Sequence, residues 1–306
     1  MPRTSFYAVL ALLVACGAAV SMGRMDSNVS LDSAREIWSD VLRDADAVGL
    51  QATRTPVAEE MELGTKLAAE IKTWGAEDPK ESEYVTEVAK ELLPYINRKG
   101  IRYRFHVIDS PEINAFALPG GQVYVLRGML DFLGSESELA AIVGHEISHV
   151  DLRHCIERYQ YELALKKVGA GDAAGLATMA HQLVAMGYSQ DQEVEADAAG
   201  ERVVIEAGYY PDAAAAVFER MKVKFGEHRP ARATTPLGEA GQAVWAALGS
   251  YFDSHPPSEQ RARQLREMVA RNRTTIEGRV VYRGVRNYKE RVPRRKQEFD
   301  AERHVY

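Results

Sequence analysis

The segment HEISHVDLRH, residues 145–154, holds three of the eight histidines of the 306-residue chain. It continues an apolar run, LAAIVG at 139–144, whose spacing predicts a buried helix. On a helix His145 and His149 lie about 40° apart on one face, so both imidazoles can reach one metal ion at roughly 2.0–2.1 Å. Glu146 points about 100° away, where it can act as a general base beside the ion. A metal site therefore explains this segment better than a solvated polar face does.

The third ligand of this site comes from elsewhere in the chain, because a catalytic zinc takes three protein ligands and keeps one position open. A histidine six residues after His149 would be the metzincin ligand, but Cys155 stands there. A carboxylate from SQDQEVEADAAGERVV, residues 189–204, is the alternative. Spacing alone leaves four acidic candidates open: Asp191, Glu193, Glu195 and Glu201.

Two neighbours of Glu193 fit such a site. Asp197 lies on the same helical face and can accept a hydrogen bond from a ligand imidazole. Gly200 would let another backbone approach closely. We expect His154 to point away from the ligand face and to make a structural hydrogen bond near the end of the helix.

The predicted fold is α+β and mainly helical, with a small β-hairpin or sheet beside the metal-binding helix. Helical periodicity marks two helices after Pro56, and IRYRFHVI alternates polar and apolar residues as a half-buried strand does. INAFALPGGQVYVL, residues 113–126, places two apolar runs around Pro-Gly-Gly, which predicts a hairpin. Capping boxes are expected where two later helices begin, at Ser135 with Glu138 and at Ser189 with Gln192.

The amino-terminal residues predict export and attachment to a membrane. An apolar run from Phe6 to Val14 is too short to span a bilayer but suits a signal peptide, residues 1–15. LVAC, ending at Cys16, resembles a bacterial lipobox whose cysteine is acylated; the alternative is an ordinary signal peptide or membrane anchor with a chance cysteine. Residues 16–55 are interpreted as a tether with a short helix. The net charge of −6 argues against a nucleic-acid partner.

Four segments together resemble the HtpX-like and CAAX-prenyl-protease-like zinc metallopeptidases. They are NAFALPGGQVYVLRGML, HEISHVDLRH, EVEAD and SHPPSEQRA, and the resemblance covers about Pro56 to Arg271. It implies one Zn²⁺ per chain, held by His145, His149 and Glu193, with Asp197 bonded to a ligand imidazole. The chain looks more like the periplasmic lipoprotein branch than the membrane-embedded members.

Two further site predictions follow from this resemblance and from the residues themselves. His255 of SHPP is expected to donate to the oxyanion of the reaction, or else to brace the turn before two prolines. The strand Asn114, Ala115, Phe116, Ala117, Leu118 is expected to pair with an extended substrate by β-augmentation. The alternative for Asn114 is a cap at the edge of the strand. The peptidase domain is placed at residues 56–275. The basic stretch at 276–306 is interpreted as a solvated tail or a contact for an anionic surface.

The predicted function is hydrolysis of peptide bonds in unfolded or misassembled envelope proteins by a zinc endopeptidase. It would be lipid-anchored on the periplasmic face, and Gly17 after the cysteine favours the outer membrane. A metal-dependent chaperone or assembly factor with latent activity is the first alternative. A lipoprotein with a purely structural zinc is the second. The sequence predicts no oligomeric state.

Overall fold

The computed structural model describes residues 55–167, 175–185, 187–225, 255 and 259–306. The predicted signal peptide, Cys16 and nearly all of the tether lie outside these ranges. So do residues 226–250, whose richness in Gly, Pro, Ala and Thr predicts a mobile loop. The chain divides into two compact units, Pro56–Gln160 with Ala174–Tyr306, and Met1–Thr55 with Tyr161–Ala173. The elements that build the site belong to the first unit. Within the described ranges, none of the helices combines the length and apolar character that crossing a bilayer requires.

Helices dominate the described ranges, as predicted. They are α1 (Val57–Ile71), α2 (Pro79–Leu92), α3 (Arg127–Phe132), α4 (Glu136–Asp151), α5 (His154–Lys167), α6 (Leu176–Ala185), α7 (Gln190–Glu206), α8 (Ala213–Phe225), α9 (Glu259–Ile276) and α10 (Val285–Glu290). The strands are β1 (Arg104–Ile108), β2 (Ala115–Leu118), β3 (Gln122–Leu126), β4 (Val280–Tyr282) and β5 (Arg303–Val305).

A three-stranded sheet in the order β1-β3-β2 flanks α4. Strand β1 runs parallel to β3, and β2 pairs with β3 antiparallel, which confirms the predicted hairpin. The turn between β2 and β3 needs a left-handed backbone at Gly120 and Gly121, with φ of 78° and 84°. Glycine adopts this conformation without a steric penalty. The order leaves β2 at an edge of this sheet.

Helix α4 is buried along its whole length, from Glu136 to Asp151. The Ser135 side chain accepts from the Glu138 backbone N–H at 3.2 Å, but the Glu138 carboxylate accepts from Gly134 and not from Ser135. The predicted reciprocal box is therefore only half formed here. At Ser189 both bonds to Gln192 are present, which confirms the second capping box.

Helices α4 and α7 cross in close contact. A Cβ added at Gly200 would lie 3.0 Å from the His145 backbone nitrogen, tighter than ordinary van der Waals contact. The predicted role of Gly200 is thus confirmed. This crossing places the face of α4 that carries His145 against the acidic residues of α7.

The carboxy-terminal segment differs from the solvated tail expected for it. Strand β4 pairs with β5, Asn287 is fully buried, and the segment lies in the same compact unit as α4. Its carbonyl groups accept from the first backbone N–H groups of α4: Gly284 from Glu136 at 3.0 Å and Arg283 from Ser137 at 3.1 Å. Helix starts leave such donors unpaired, so this segment completes the cap of α4.

Candidate metal centre

Four buried side chains converge where α4, α7 and residue 255 meet. One ligand atom each from His145, His149, Glu193 and His255 lies within 4.8 Å of the others. The two Nε2 atoms of His145 and His149 are 3.0 Å apart, and they lie 3.5 and 3.6 Å from the Glu193 carboxylate. Of the acidic candidates on α7, Glu193 is therefore the one that joins both histidines.

The donor set fits a tetrahedral ion. Ligands at 2.0–2.1 Å around such an ion stand about 3.3–3.4 Å apart, close to the separations seen here. The cluster also gathers three buried carboxyl groups: Glu193 and Asp197 lie against the Arg261 guanidinium, and Glu146 lies beside His255. A divalent cation would balance this buried negative charge, which would otherwise be costly. The residues present thus suit a metal such as zinc.

His145 is oriented by Asp197, as predicted for that carboxylate. The His145 Nδ1 lies 2.9 Å from Asp197 Oδ1, which leaves Nε2 directed at the cluster. Burial lowers the pKa of His145, but bonds and charges from Asp197 and Glu193 outweigh it and raise that pKa to about 10. An imidazole held between two carboxylates in this way suits a cation site.

Arg261, which is fully buried, holds the acidic residues of α7 in place. Its guanidinium donates to both oxygens of Asp197 at 2.8 and 2.9 Å, and its Nη1 lies 2.7 Å from Glu193 Oε2. Burial raises the pKa of Glu193, but the charges of His255 and Arg261 outweigh it and hold that pKa well below its usual value. Glu193 is thereby kept as a carboxylate.

Glu146 lies beside the ligand cluster without joining it. Its side chain is fully buried, and neither carboxylate oxygen has a hydrogen-bond partner among the described residues. The His255 Nε2 is 3.3 Å from Glu146 Oε1. Burial raises the pKa of Glu146, partly opposed by the charges of His255 and His145. A buried carboxylate of raised pKa, placed next to a metal site, can accept and return a proton.

His255 lies between the ligand cluster and the Glu146 carboxylate. Its Nδ1 lies 2.8 Å from Glu193 Oε1 and 3.3 Å from His145 Nε2, within the ligand cluster. Its Nε2 faces Glu146. The ring is fully buried, and the Arg261 guanidinium donates to the His255 carbonyl at 3.2 Å. The structure therefore brings His255 to the centre, where it can donate a proton from Nε2 or offer Nδ1 as a fourth ligand.

Aromatic stacking covers one face of the His149 ring. The Tyr188 ring stacks on the His149 imidazole with centroids 3.6 Å apart, and the Arg158 guanidinium lies over the Tyr188 ring. The Tyr188 hydroxyl is 3.2 Å from Cys155 Sγ, and burial raises the pKa of that thiol to about 12. Cys155 is thus a buried free thiol, as lone cysteines usually are.

The predicted substrate strand is β2 with the preceding Asn114. The Asn114 carbonyl accepts from the Leu126 N–H of β3. Because every second residue of an antiparallel strand bonds to the same neighbour, the backbone N–H and C=O groups of Phe116 and Leu118 also point toward β3. The backbone groups of Ala115 and Ala117 consequently point to the outer edge. There the Cys155 thiol contacts the Ala117 carbonyl at 3.6 Å. The strand lies beside α4, and its pairing with a substrate stays a prediction.

Sequence reasoning missed Arg261 and Tyr188. Both are distant in sequence from HEISH, and an arginine or a tyrosine at helical spacing carries no ligand signal. The SHPPSEQRA segment contained Arg261, but only a three-dimensional contact shows that it neutralises the two carboxylates of α7.

A helix that presents two histidines and a glutamate in the HExxH pattern, crossed by a helix that presents a carboxylate to both histidines, is the arrangement of a metallopeptidase of the HExxH type. The sequence model of peptidase family M48 matches residues 79–269, which is more than half of the chain. The chain belongs to this family, and the predicted zinc-metallopeptidase resemblance is confirmed.

Several characterised proteins are similar to the chain. "Mitochondrial metalloendopeptidase OMA1" of Schizosaccharomyces pombe is 30% identical over 61% of this chain and 52% of that protein. "Metalloprotease LoiP" of Escherichia coli is 28% identical over 86% of this chain and 97% of that protein. "Beta-barrel assembly-enhancing protease" of Escherichia coli is 27% identical over 71% and 46%. The chain thus spans about half the length of the first and third of these relatives.

Proposed function

We propose that the chain is a zinc-dependent endopeptidase that hydrolyses peptide bonds in unfolded or misassembled proteins of the bacterial cell envelope. The observation that carries this proposal is the buried Glu146 carboxylate, which has no hydrogen-bond partner among the described residues and lies beside the His145, His149 and Glu193 cluster. Such a group needs a proton donor, and a water molecule entering the centre would supply one.

The residues of the chain divide the reaction between them. Zinc, when bound by His145, His149 and Glu193, would lower the pKa of water and polarise the scissile carbonyl. Glu146 takes the proton of the attacking water at a carboxylate oxygen and delivers it to the leaving amine nitrogen. His255 donates from Nε2 to the oxyanion that develops on the carbonyl oxygen.

The substrate would lie along the outer edge of β2. The N–H and C=O groups of Ala115 and the N–H of Ala117 point outward there, and pairing with them would recognise an extended backbone whatever its sequence. The Ala117 carbonyl already contacts the Cys155 thiol. Unfolded polypeptides offer such backbones. An acyl anchor at Cys16 would hold the enzyme on the periplasmic face of the outer membrane. The lipobox resemblance supports the anchor, and the likeness to the assembly-enhancing protease supports only a place in the cell envelope.

A second candidate function is a metal-dependent assembly factor whose protease activity is latent. The observation that favours it is the position of His255 Nδ1 among the ligand atoms, 2.8 Å from Glu193 Oε1. As a fourth ligand it would occupy the position that a catalytic site leaves open.

The deciding experiment is degradation of casein by the purified chain, with and without a zinc chelator and after zinc is returned. The endopeptidase proposal predicts cleavage that the chelator abolishes and zinc restores. Undegraded casein in the presence of a fully zinc-loaded, folded chain would contradict it and favour the latent form.

A further inference from the structure

The ligand His149 has a second hydrogen-bonding nitrogen that lies against another imidazole. His149 Nδ1 is 3.0 Å from His154 Nδ1, and His154 Nε2 is 3.2 Å from Glu195 Oε2. The rings of His149 and His154 are almost completely buried, whereas the Glu195 side chain is 56% exposed. A line of hydrogen bonds therefore runs from the ligand cluster to the surface of α7.

His154 lies outside the ligand cluster and makes hydrogen bonds near the end of α4, as expected, but a turn between α4 and α5 directs its ring at His149, a partner that was not predicted. On a continuous helix, residues five apart are separated by about 140°. Helix α4 instead ends at Asp151, and Arg153 adopts a left-handed backbone with φ of 72°. Helix α5 then starts at His154, which turns its ring toward His149.

One arrangement of protons gives each hydrogen bond between His149, His154 and Glu195 a donor and an acceptor. His149 must present the lone pair of Nε2 to the ion, so its Nδ1 carries the hydrogen and donates. His154 then accepts at Nδ1, carries its own hydrogen on Nε2 and donates to the Glu195 carboxylate. His145 reaches Asp197 directly, whereas His149 reaches its carboxylate through a second imidazole.

We propose that His154 and Glu195 are positioning residues that fix the tautomer and orientation of His149 and so raise the affinity of the centre for its metal. This inference rests on the metal site of the proposed function, but not on peptide hydrolysis. Partners of this kind on a ligand imidazole typically change metal affinity or activity by 10–100-fold.

The test is the zinc affinity of purified variants, measured by competition with a chromophoric chelator. His154→Ala should weaken zinc binding on the order of 10–100-fold. His154→Asn should restore most of the affinity, because its amide oxygen takes the place of Nδ1 as acceptor. Glu195→Gln should weaken binding less than His154→Ala, since an amide oxygen still accepts from His154.

His106→Ala is the matched control. His106 Nδ1 is 3.1 Å from Glu77 Oε1, so it is another histidine paired with a carboxylate, but it belongs to β1 and not to the ligand cluster. This variant should bind zinc as the wild type does. Cobalt substitution adds a spectroscopic check, because a displaced His149 should alter the visible absorption of bound Co²⁺ in His154→Ala alone.

A purely structural role for His154 predicts a different result. His154→Ala would then lower the melting temperature of the metal-free chain while its zinc affinity stayed within twofold of that of His106→Ala, and this result would overturn the inference. Zinc binding that weakens as expected in a chain without peptidase activity would leave the inference standing and remove the proposed function. A wild-type chain that binds no zinc would overturn both.

Discussion

The two ring nitrogens of His255 have different neighbours, and its role depends on which of them acts. If His255 donates to the oxyanion, the His255→Phe variant should keep its zinc, and its kcat should fall on the order of 10²–10³-fold. Equal falls in kcat and kcat/KM would place the lost interaction in the transition state. Zinc content and a melting curve are measured on the same sample. An unchanged or higher kcat, together with weaker zinc binding, would instead make His255 a fourth ligand.

Glu201 is a buried carboxyl group that the proposed mechanism does not use. It lines a cavity of about 20 Å³ next to Asp197 and His145, and neither of its oxygens has a partner among the described residues. Burial, and then the charges of Asp212 and Asp197, raise its pKa to about 8. The folded chain therefore holds this proton more tightly than the unfolded chain does.

Stability should accordingly fall as the pH rises from the unfolded pKa of Glu201, near 4.5, through about 8. Glu201→Gln removes this loss, so the variant should exceed the wild type in unfolding free energy at pH 9, on the order of a few kcal/mol. At pH 5 the two should nearly coincide. Urea denaturation at both pH values, in the same metal state, measures the difference. A difference independent of pH would contradict the assignment.

Individual residues differ in how far sequence predicts them. Two histidines and a glutamate on one short helix have fixed relative directions, so their grouping follows from helical geometry. Glu193 could not be separated from its acidic neighbours by spacing, because that choice depends on how α7 crosses α4. The contact of His154 with His149 was not predicted, because the left-handed turn at Arg153 leaves no clear sequence signal: arginine seldom adopts positive φ.

The crossing of α4 and α7 is the element-scale feature on which the centre depends. Gly200→Ala would place its Cβ 3.0 Å from the His145 backbone nitrogen. We expect the helices to separate, with a loss of about 1–3 kcal/mol in unfolding free energy and weaker zinc binding. Gly175→Ala is the control, because its Cβ would meet nothing within 4 Å. Equal zinc affinities in the two variants would show that the close crossing does not position the ligands.

Elements were predictable where local signals suffice. Apolar runs around Pro-Gly-Gly predict the β2–β3 hairpin, and Ser189 with Gln192 predicts the start of α7. The parallel pairing of β1 with β3 and the crossing of α7 over α4 join residues far apart in sequence, and no local pattern specifies them. The segment after Gly278 looked solvated because it is rich in arginine, yet its basic side chains find acidic partners, as Arg291 does with Glu81.

At the scale of the whole molecule, the carboxy-terminal segment stabilises the start of α4, although the two are far apart in the sequence. Gly284 and Arg283 supply carbonyl acceptors to the start of α4, and the buried Glu136 carboxylate accepts from Arg294 N at 3.0 Å. Deleting residues 279–306 should therefore lower the unfolding free energy by about 1–3 kcal/mol for each donor left unpaired. It should also weaken zinc binding.

The control for this deletion is a chain with Arg295→Gln and Lys296→Gln. It loses two of the more exposed basic charges but keeps the segment, and it should unfold at nearly the wild-type denaturant concentration. If the truncated chain had the same denaturant midpoint of unfolding and the same zinc affinity as this control, the segment would be a solvated tail and the account would be contradicted.

Glu146→Gln tests the central claim most directly, because it removes the proton acceptor and leaves His145, His149 and Glu193 in place. Hydrolysis of an unfolded protein substrate is compared between the variant and the wild type at equal zinc content. We predict full zinc occupancy, an unchanged melting temperature to within a few degrees and a kcat lower on the order of 10²–10⁴-fold. Wild-type turnover by the zinc-loaded variant would contradict the account.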